Sequence, residues 1–206
     1  MKRESTGGEP KSAAGIDTGP GIAMILTRHS VSPKRLLAPG PDDAQLAAML
    51  EAAGAAPDHE LLQPWRFVRI PLGARGALAE LFARALLARD PQAHEQDLQR
   101  ARAKAFRAPE LLLAIARLEP EHPDVPARER YVSLGCALMN LLLAAHALGF
   151  GAMITGGKAL LWDEFARAFA LAEGEEAVCF VSIGTPGPAR RRARPGAAQL
   201  LSSCTP

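Results

Sequence analysis

Asp58, His59, Glu60 and Gln63 stand between Pro57 and Pro64, a dense group of hydrogen-bonding side chains in a short polar stretch. A polar loop is by default a solvated one, but this loop joins an apolar helix to an aromatic strand, where such groups can hold a polar ligand. Upstream, Arg28 and Ser30 offer a fixed guanidinium fork and a hydroxyl, to which exposed backbone N–H groups add further donors, a set suited to phosphate. The sequence contains no Ser–His–Asp arrangement, nucleophile elbow or metal-spaced His/Cys cluster, and His29, His59, His94, His122 and His146 are scattered. No catalytic side chain and no metal ligand is therefore expected.

The elements that must position these groups are legible from periodicity and breakers. Ile22–Arg28 reads as a short helix ending at His29-Ser30. Asp42 or Asp43 caps the next helix, in which Leu46, Met49, Leu50 and Ala53 keep helical spacing until Gly54 and Pro57 stop it. Trp65–Ile70 is a strand, Ala77–Ala88 a helix, and Gln92–Ala105, with its alternating charges, a solvated helix. The apolar run Leu111–Ala116 is a buried strand. Pro126 opens the longest helix, which runs to about Leu148 and is stopped by Gly149. Its apolar residues surround much of its circumference, and Gly135, Ala137, Ala144 and Ala145 permit close helix approach, either in a dimer or within one chain. The Gly-rich stretch Gly149–Gly157 reads as a turn. Because it follows a helix, and the Rossmann fingerprint follows a strand, a dinucleotide-binding fold is rejected. Leu160–Leu171 is a short amphipathic helix, Glu176–Gly184 the last strand, and Arg190–Arg194 a basic cluster placed either to reach a phosphate or to remain solvated.

Composition narrows the class. With 206 residues the chain is long enough for one substantial core, and its net charge of +2, carried by dispersed basic residues, gives no nucleic-acid footprint. Cys136, Cys179 and Cys204 are odd in number and lack CxxC spacing, which suggests a reducing, cytoplasmic setting. Leu134–Phe150, the most apolar window, is interrupted by Asn140 and His146, so no membrane span is expected. Residues 1–23 lack the apolar core of a secretory signal and read as a flexible extension. Residues 24–206 form the expected domain, and Met24 is an alternative start.

Four segments together carry a family resemblance. P-D-H-x-x-x-Q-P-W-x-F at Pro57–Phe67, Arg28-His29-Ser30, the Gly149–Gly157 stretch and V-S-I-G-T-P at Val181–Pro186 resemble the nitroreductase family in its order, specifically the compact branch of small NAD(P)H nitroreductases. The resemblance extends from about Leu26 to Pro188. It implies an α+β fold, with a central mixed or antiparallel sheet flanked by helices, and a homodimer built on the long helix. It also implies FMN as cofactor, NAD(P)H as co-substrate, and a small electron acceptor such as a nitroaromatic or quinone reduced in ping-pong fashion. On this resemblance Arg28, His29 and Ser30 grip the flavin phosphate and ribityl tail, Ile154, Thr155 and Gly156 run along the ring, and His59 and Gln63 touch the flavin, His59 from the partner subunit. A flavin that carries the redox chemistry accounts for the missing catalytic side chain. The sequence departs from the family pattern at Ala55, where relatives carry Arg, at Ile154-Thr155-Gly156, where they carry Trp-Arg-Ser, and in two extra residues between Ser30 and Arg35. These departures keep two alternatives open: a flavoenzyme of the same fold with a different reaction, and a non-catalytic dimeric scaffold or ligand-binding protein with weakened flavin affinity.

Overall fold

The computed structural model describes residues 19–118, 124–188 and 196–204. The expectations for residues 1–18 and for the Arg190–Arg194 cluster lie outside these residues. Five strands form one sheet: β1 (Leu36–Leu37), β2 (Trp65–Arg69), β3 (Glu110–Arg117), β4 (Gly151–Thr155) and β5 (Glu175–Pro186). β5 organises the sheet, pairing antiparallel with β3, β4 and β1, while β3 continues to β2. The alternatives of a mixed or an antiparallel sheet thus resolve to antiparallel, apart from one parallel bridge between Ser30 and Ala152.

Both faces of β3 are covered, which is why its sequence is apolar without alternation. Leu112, Ala114 and Ala116 meet α2 (Asp43–Gly54) and α5 (Ala127–Ala147) in a core that includes Met49, Leu134, Leu141 and Val181. Leu111, Leu113 and Ile115 face the other way, onto Leu78, Phe165 and Phe180. That second face is covered by α3 (Arg75–Arg89), with α4 (Glu95–Arg102) packed on it, and by α6 (Asp163–Ala168). The period of two divides one strand between two cores. α1 (Gly19–Thr27) lies against α5. Asp42, not Asp43, caps α2 through a reciprocal box: its carboxylate accepts from Gln45 N at 2.8 Å, and its own N–H donates to the Gln45 side chain at 3.0 Å.

Several sequence readings change. The stretch expected to be a Gly-rich turn contains strand β4. Gly149, at φ +83°, ends α5 as expected, but Gly151 serves close packing: an added Cβ would lie 2.9 Å from Val31 and Leu36 and 3.0 Å from Pro186. The helix expected over Leu160–Leu171 is broken into a 3-10 turn at Lys158–Leu161 and α6, and the helix expected over Gln92–Ala105 is shortened to α4 followed by a 3-10 turn at Ala103–Phe106. Ala137 and Ala145 face the chain's own core, because α2 packs closely on this side of α5 and the Asn140 amide donates to the Ala52 carbonyl at 3.1 Å. No helix among the described residues is long and apolar enough to cross a membrane.

Candidate functional site

The Arg28-His29-Ser30 segment leaves α1 and is fastened at once to β4. Arg28 N–H still donates to the Met24 carbonyl at 3.0 Å, closing the last helical bond, and Val31 N–H donates to Ala152 C=O at 3.1 Å beside the Ser30–Ala152 bridge. The C-terminal end of α5 packs against the same segment, with His146 Nε2 lying 3.2 Å from Thr27 Oγ1. Burial, and after it the charges of His29 and Arg28, push the His146 imidazole below its ordinary range. His29 Nε2 is buried and has no hydrogen-bond partner, while its Nδ1 lies 3.3 Å from the Thr27 carbonyl. With Nδ1–H donated there, Nε2 accepts from a hydroxyl when the ring is neutral and donates to an anion when the ring is charged.

β4 carries the chain from this cluster to a cleft of about 820 Å³ lined by Thr155, Gly156 and Gly157, with the ends of α3 and α4 opposite. A Cβ added at Gly156 or Gly157 would meet nothing within 4 Å, so the backbone here is open to a ligand. Ile154, expected beside Thr155, is not part of this lining, because strand alternation turns it to the other face of the sheet.

The His59 loop lies elsewhere. Leu62 N–H donates to His59 C=O at 3.0 Å, Gln63 N–H donates to the Asp58 carboxylate, and the Gln63 amide reaches the Gly54 carbonyl at 3.4 Å. Glu60, Leu61 and Gln63 have φ of 50°, 59° and 43°. Left-handed backbone without glycine costs on the order of 1 kcal/mol or more per residue and collects at binding loops. His59 Nδ1 is 4.0 Å from Glu129 in the first turn of α5, with both side chains about half exposed, so this ion pair contributes little. Arg28 and His59 therefore sit at opposite ends of α5. The 17 residue-to-residue steps from Glu129 to His146 span roughly 25 Å of helix. One chain brings Arg28, His29 and Ser30 together, and carries Thr155 at the end of the adjoining strand with Gly156 directly after it, but does not bring His59 or Gln63 to them.

Sequence reasoning missed the cationic wall of the cleft, formed in part by Arg89, Lys104 and Arg107. Its signal was present in Arg100, Lys104 and Arg107, which repeat at helical spacing; the high charge of the segment made it read as solvated throughout. Arg35, set apart by the lengthened connector, donates to the Pro188 carbonyl at 2.6 Å.

Residues 25–185 match the model of the Nitroreductase family. The chain belongs to the nitroreductase family. It is 33% identical over 165 residues to an Escherichia coli K12 protein named "Putative NAD(P)H nitroreductase YdjA", covering 80% of this chain and 87% of that one. Among solved structures, a nitroreductase-like family protein from Bacillus cereus superposes with a TM-score of 0.74 at 19% identity, covering 89% of this chain and 95% of that chain. An NADPH:FMN oxidoreductase from Vibrio harveyi, solved with NAD+, superposes with a TM-score of 0.68 at 22% identity, covering 89% and 76% respectively. At these identities the two structures establish the nitroreductase fold, in agreement with the α+β architecture described above.

Proposed function

We propose that this nitroreductase-family chain is an FMN-dependent oxidoreductase that takes reducing equivalents from NAD(P)H and passes them to a small acceptor such as a nitroaromatic or quinone. The observation that carries this reading is β4, which joins the Arg28-His29-Ser30 cluster at Ala152 to the open backbone at Gly156. That is about 13 Å of extended chain, with anion and hydroxyl partners at one end and space for a flat ring at the other.

The residues present fit a phosphorylated flavin. Arg28 and Ser30 hold the phosphate by charge-assisted hydrogen bonds, and the orphaned Nε2 of His29 takes a ribityl hydroxyl or a phosphate oxygen. The backbone groups of Thr155 and Gly156 fix the ring edge. FMN, once bound, supplies the hydride and electron transfer. The chain's own work is binding, orientation and exclusion of water, in accord with the absence of any triad.

The remaining residues call for a second subunit. Val132 and Gly135 on α5 are exposed, and Cys136, Met139 and Leu143 half-buried, forming a stripe at helical spacing that this chain does not cover. Val132 alone is 67% exposed. Antiparallel pairing of α5 about a two-fold axis would lay the His59 loop of one chain beside the Arg28 cluster of the other. Light scattering should therefore give a dimer, and the purified protein should be yellow, or become so on addition of FMN, and should oxidise NAD(P)H faster when a nitroaromatic is added. A chain that stays colourless after FMN addition and desalting would refute the reading and favour the scaffold alternative.

A further inference from the structure

The cleft beside Thr155 and Gly156 is much more positive than the chain as a whole. Six cationic side chains line it, Lys34, Arg89, Arg100, Lys104, Arg107 and Lys158, against two carboxylates, Asp90 and Asp97, although the whole sequence carries a net charge of only +2. Arg100 is neutralised by Asp97 at 3.0 Å. The other five have no ion-pair partner among the described residues. Elsewhere five arginines, Arg66, Arg69, Arg84, Arg102 and Arg117, each lie within 4 Å of a carboxylate.

The cations are also gathered, on backbone that is itself held in place. Crowding by protein atoms, then the charges of Arg107 and Arg89, hold the Lys104 ammonium below its usual range. Beneath them the buried Arg75 donates to the carbonyls of Ile70 and Ala105, both at 2.7 Å, and to those of Ala108 and Pro109, both at 3.4 Å. This ties down the backbone that carries Lys104 and Arg107. A gathered set of like charges is unfavourable in isolation and becomes favourable when an anion enters.

We propose that Arg89, Lys104 and Arg107 bind the 2′-phosphate of a nucleotide co-substrate whose reactive end lies against Thr155 and Gly156, and that they thereby select NADPH over NADH. The inference rests on the flavin reading above. The pyrophosphate common to both nucleotides carries two charges, whereas the 2′-phosphate found only in NADPH is a monoester adding about 1.5 to 2 more near neutrality. Five unpaired cations exceed what a pyrophosphate alone requires, and the separate wall formed by the end of α3 and the turn after α4 gives the additional phosphate its own partners.

The test uses adenosine 2′,5′-bisphosphate and 5′-AMP as probes, titrated calorimetrically at low salt into the purified protein with and without FMN. Charge-assisted contacts of this kind change affinity by roughly 10- to 100-fold, so the parent should bind the bisphosphate at least about tenfold more tightly than AMP. Lys104→Gln with Arg107→Gln should reduce that preference to below about threefold and raise KM for NADPH while leaving KM for NADH and FMN affinity unchanged. Arg89→Gln, on a different helix, should act in the same direction, which separates the charge effect from a local folding defect. Equal affinity of the parent for the two probes overturns the inference. So does a double variant that loses FMN in place of the preference, since the cations would then hold the flavin's own phosphate. A parent that discriminates between the probes but never takes up FMN overturns only the flavin reading; one that takes up FMN without discriminating overturns only this inference.

Discussion

At the C-terminal end of α5, Arg28, His29 and His146 are packed against β4 and fixed by backbone hydrogen bonds, whereas at the N-terminal end His59 stands half exposed on a strained loop, 4.0 Å from Glu129. The first end is built like a holding site, and its geometry follows from the sheet ladder and apolar packing. The second is shaped by local turns and is anchored to the sheet by ion pairs. Arg66 donates to both oxygens of Glu175 at 2.7 and 2.6 Å, Tyr131 O–H donates to Glu176, and Arg117 N–H donates to Pro64 C=O at 3.0 Å, at the exit of the loop. In the proposed two-fold pairing a ligand that uses both ends would be contacted by two chains, with the looser end reaching across.

Acid should separate the two ends most strongly. The bidentate hydrogen bonds from Arg66, aided by the Ala172 N–H, hold the Glu175 carboxyl down at about 2. Because this group ionises at lower pH folded than unfolded, its contribution is complete above about pH 4.5 and is lost as pH falls toward 2, a difference on the order of 3 kcal/mol. Hydrogen exchange at falling pH should open the His59 end before the Arg28 end, and Arg66→Gln should remove that order. Simultaneous opening would show that the ion pair does not distinguish them.

Arg28→Ala removes a charge-assisted contact of about 1.5–3 kcal/mol and should weaken FMN binding by roughly 10- to 100-fold. An unchanged flavin titration would move the phosphate away from this end. Gly151→Ala tests the same end through packing. With three neighbours at 2.9–3.0 Å from the new Cβ, the change should destabilise the chain by about 1–3 kcal/mol in chemical denaturation and loosen flavin as the Ser30–Ala152 bridge shifts; a neutral result would mean that β4 does not fix the cluster.

His59→Ala should have the smallest effect, about tenfold in FMN retention or flavin reduction, roughly 1.4 kcal/mol, with His59→Gln recovering part of it. Mixed dimers of Arg28→Ala and His59→Ala chains sharpen the comparison. If the site is shared across subunits, each mixed dimer contains one doubly impaired site and one intact site, and flavin content should recover toward half. No recovery on mixing would place both residues in the site of one chain.

Much of the fold was legible because it depends on local signals. The cap and spacing of α2, the unbroken apolar run of β3 and the Pro-to-Gly limits of α5 each record a constraint that neighbouring residues impose on the backbone. β4 was misread because glycine has the same letter in a turn and in a crowded strand. Only the neighbours of Gly151 decide between them, and those come from segments far apart in sequence. The Arg28-His29-Ser30 cluster was legible as a motif, whereas the contact of the adjoining Thr27 with His146, distant along the chain, was not.

The sequence by itself determined the family, the order of the main helices and of strands β2, β3 and β5, and the residue types available for holding an anion, since these are written in composition, spacing and breakers. Tertiary structure decided which of those residues meet. It turned Ile154 away from Thr155 by strand alternation, placed His59 a helix length from Arg28, and gathered Lys34, Arg89, Lys104 and Lys158 from separate segments into one cleft. Such juxtapositions arise from the packing of distant elements, and no periodicity within a single segment encodes them.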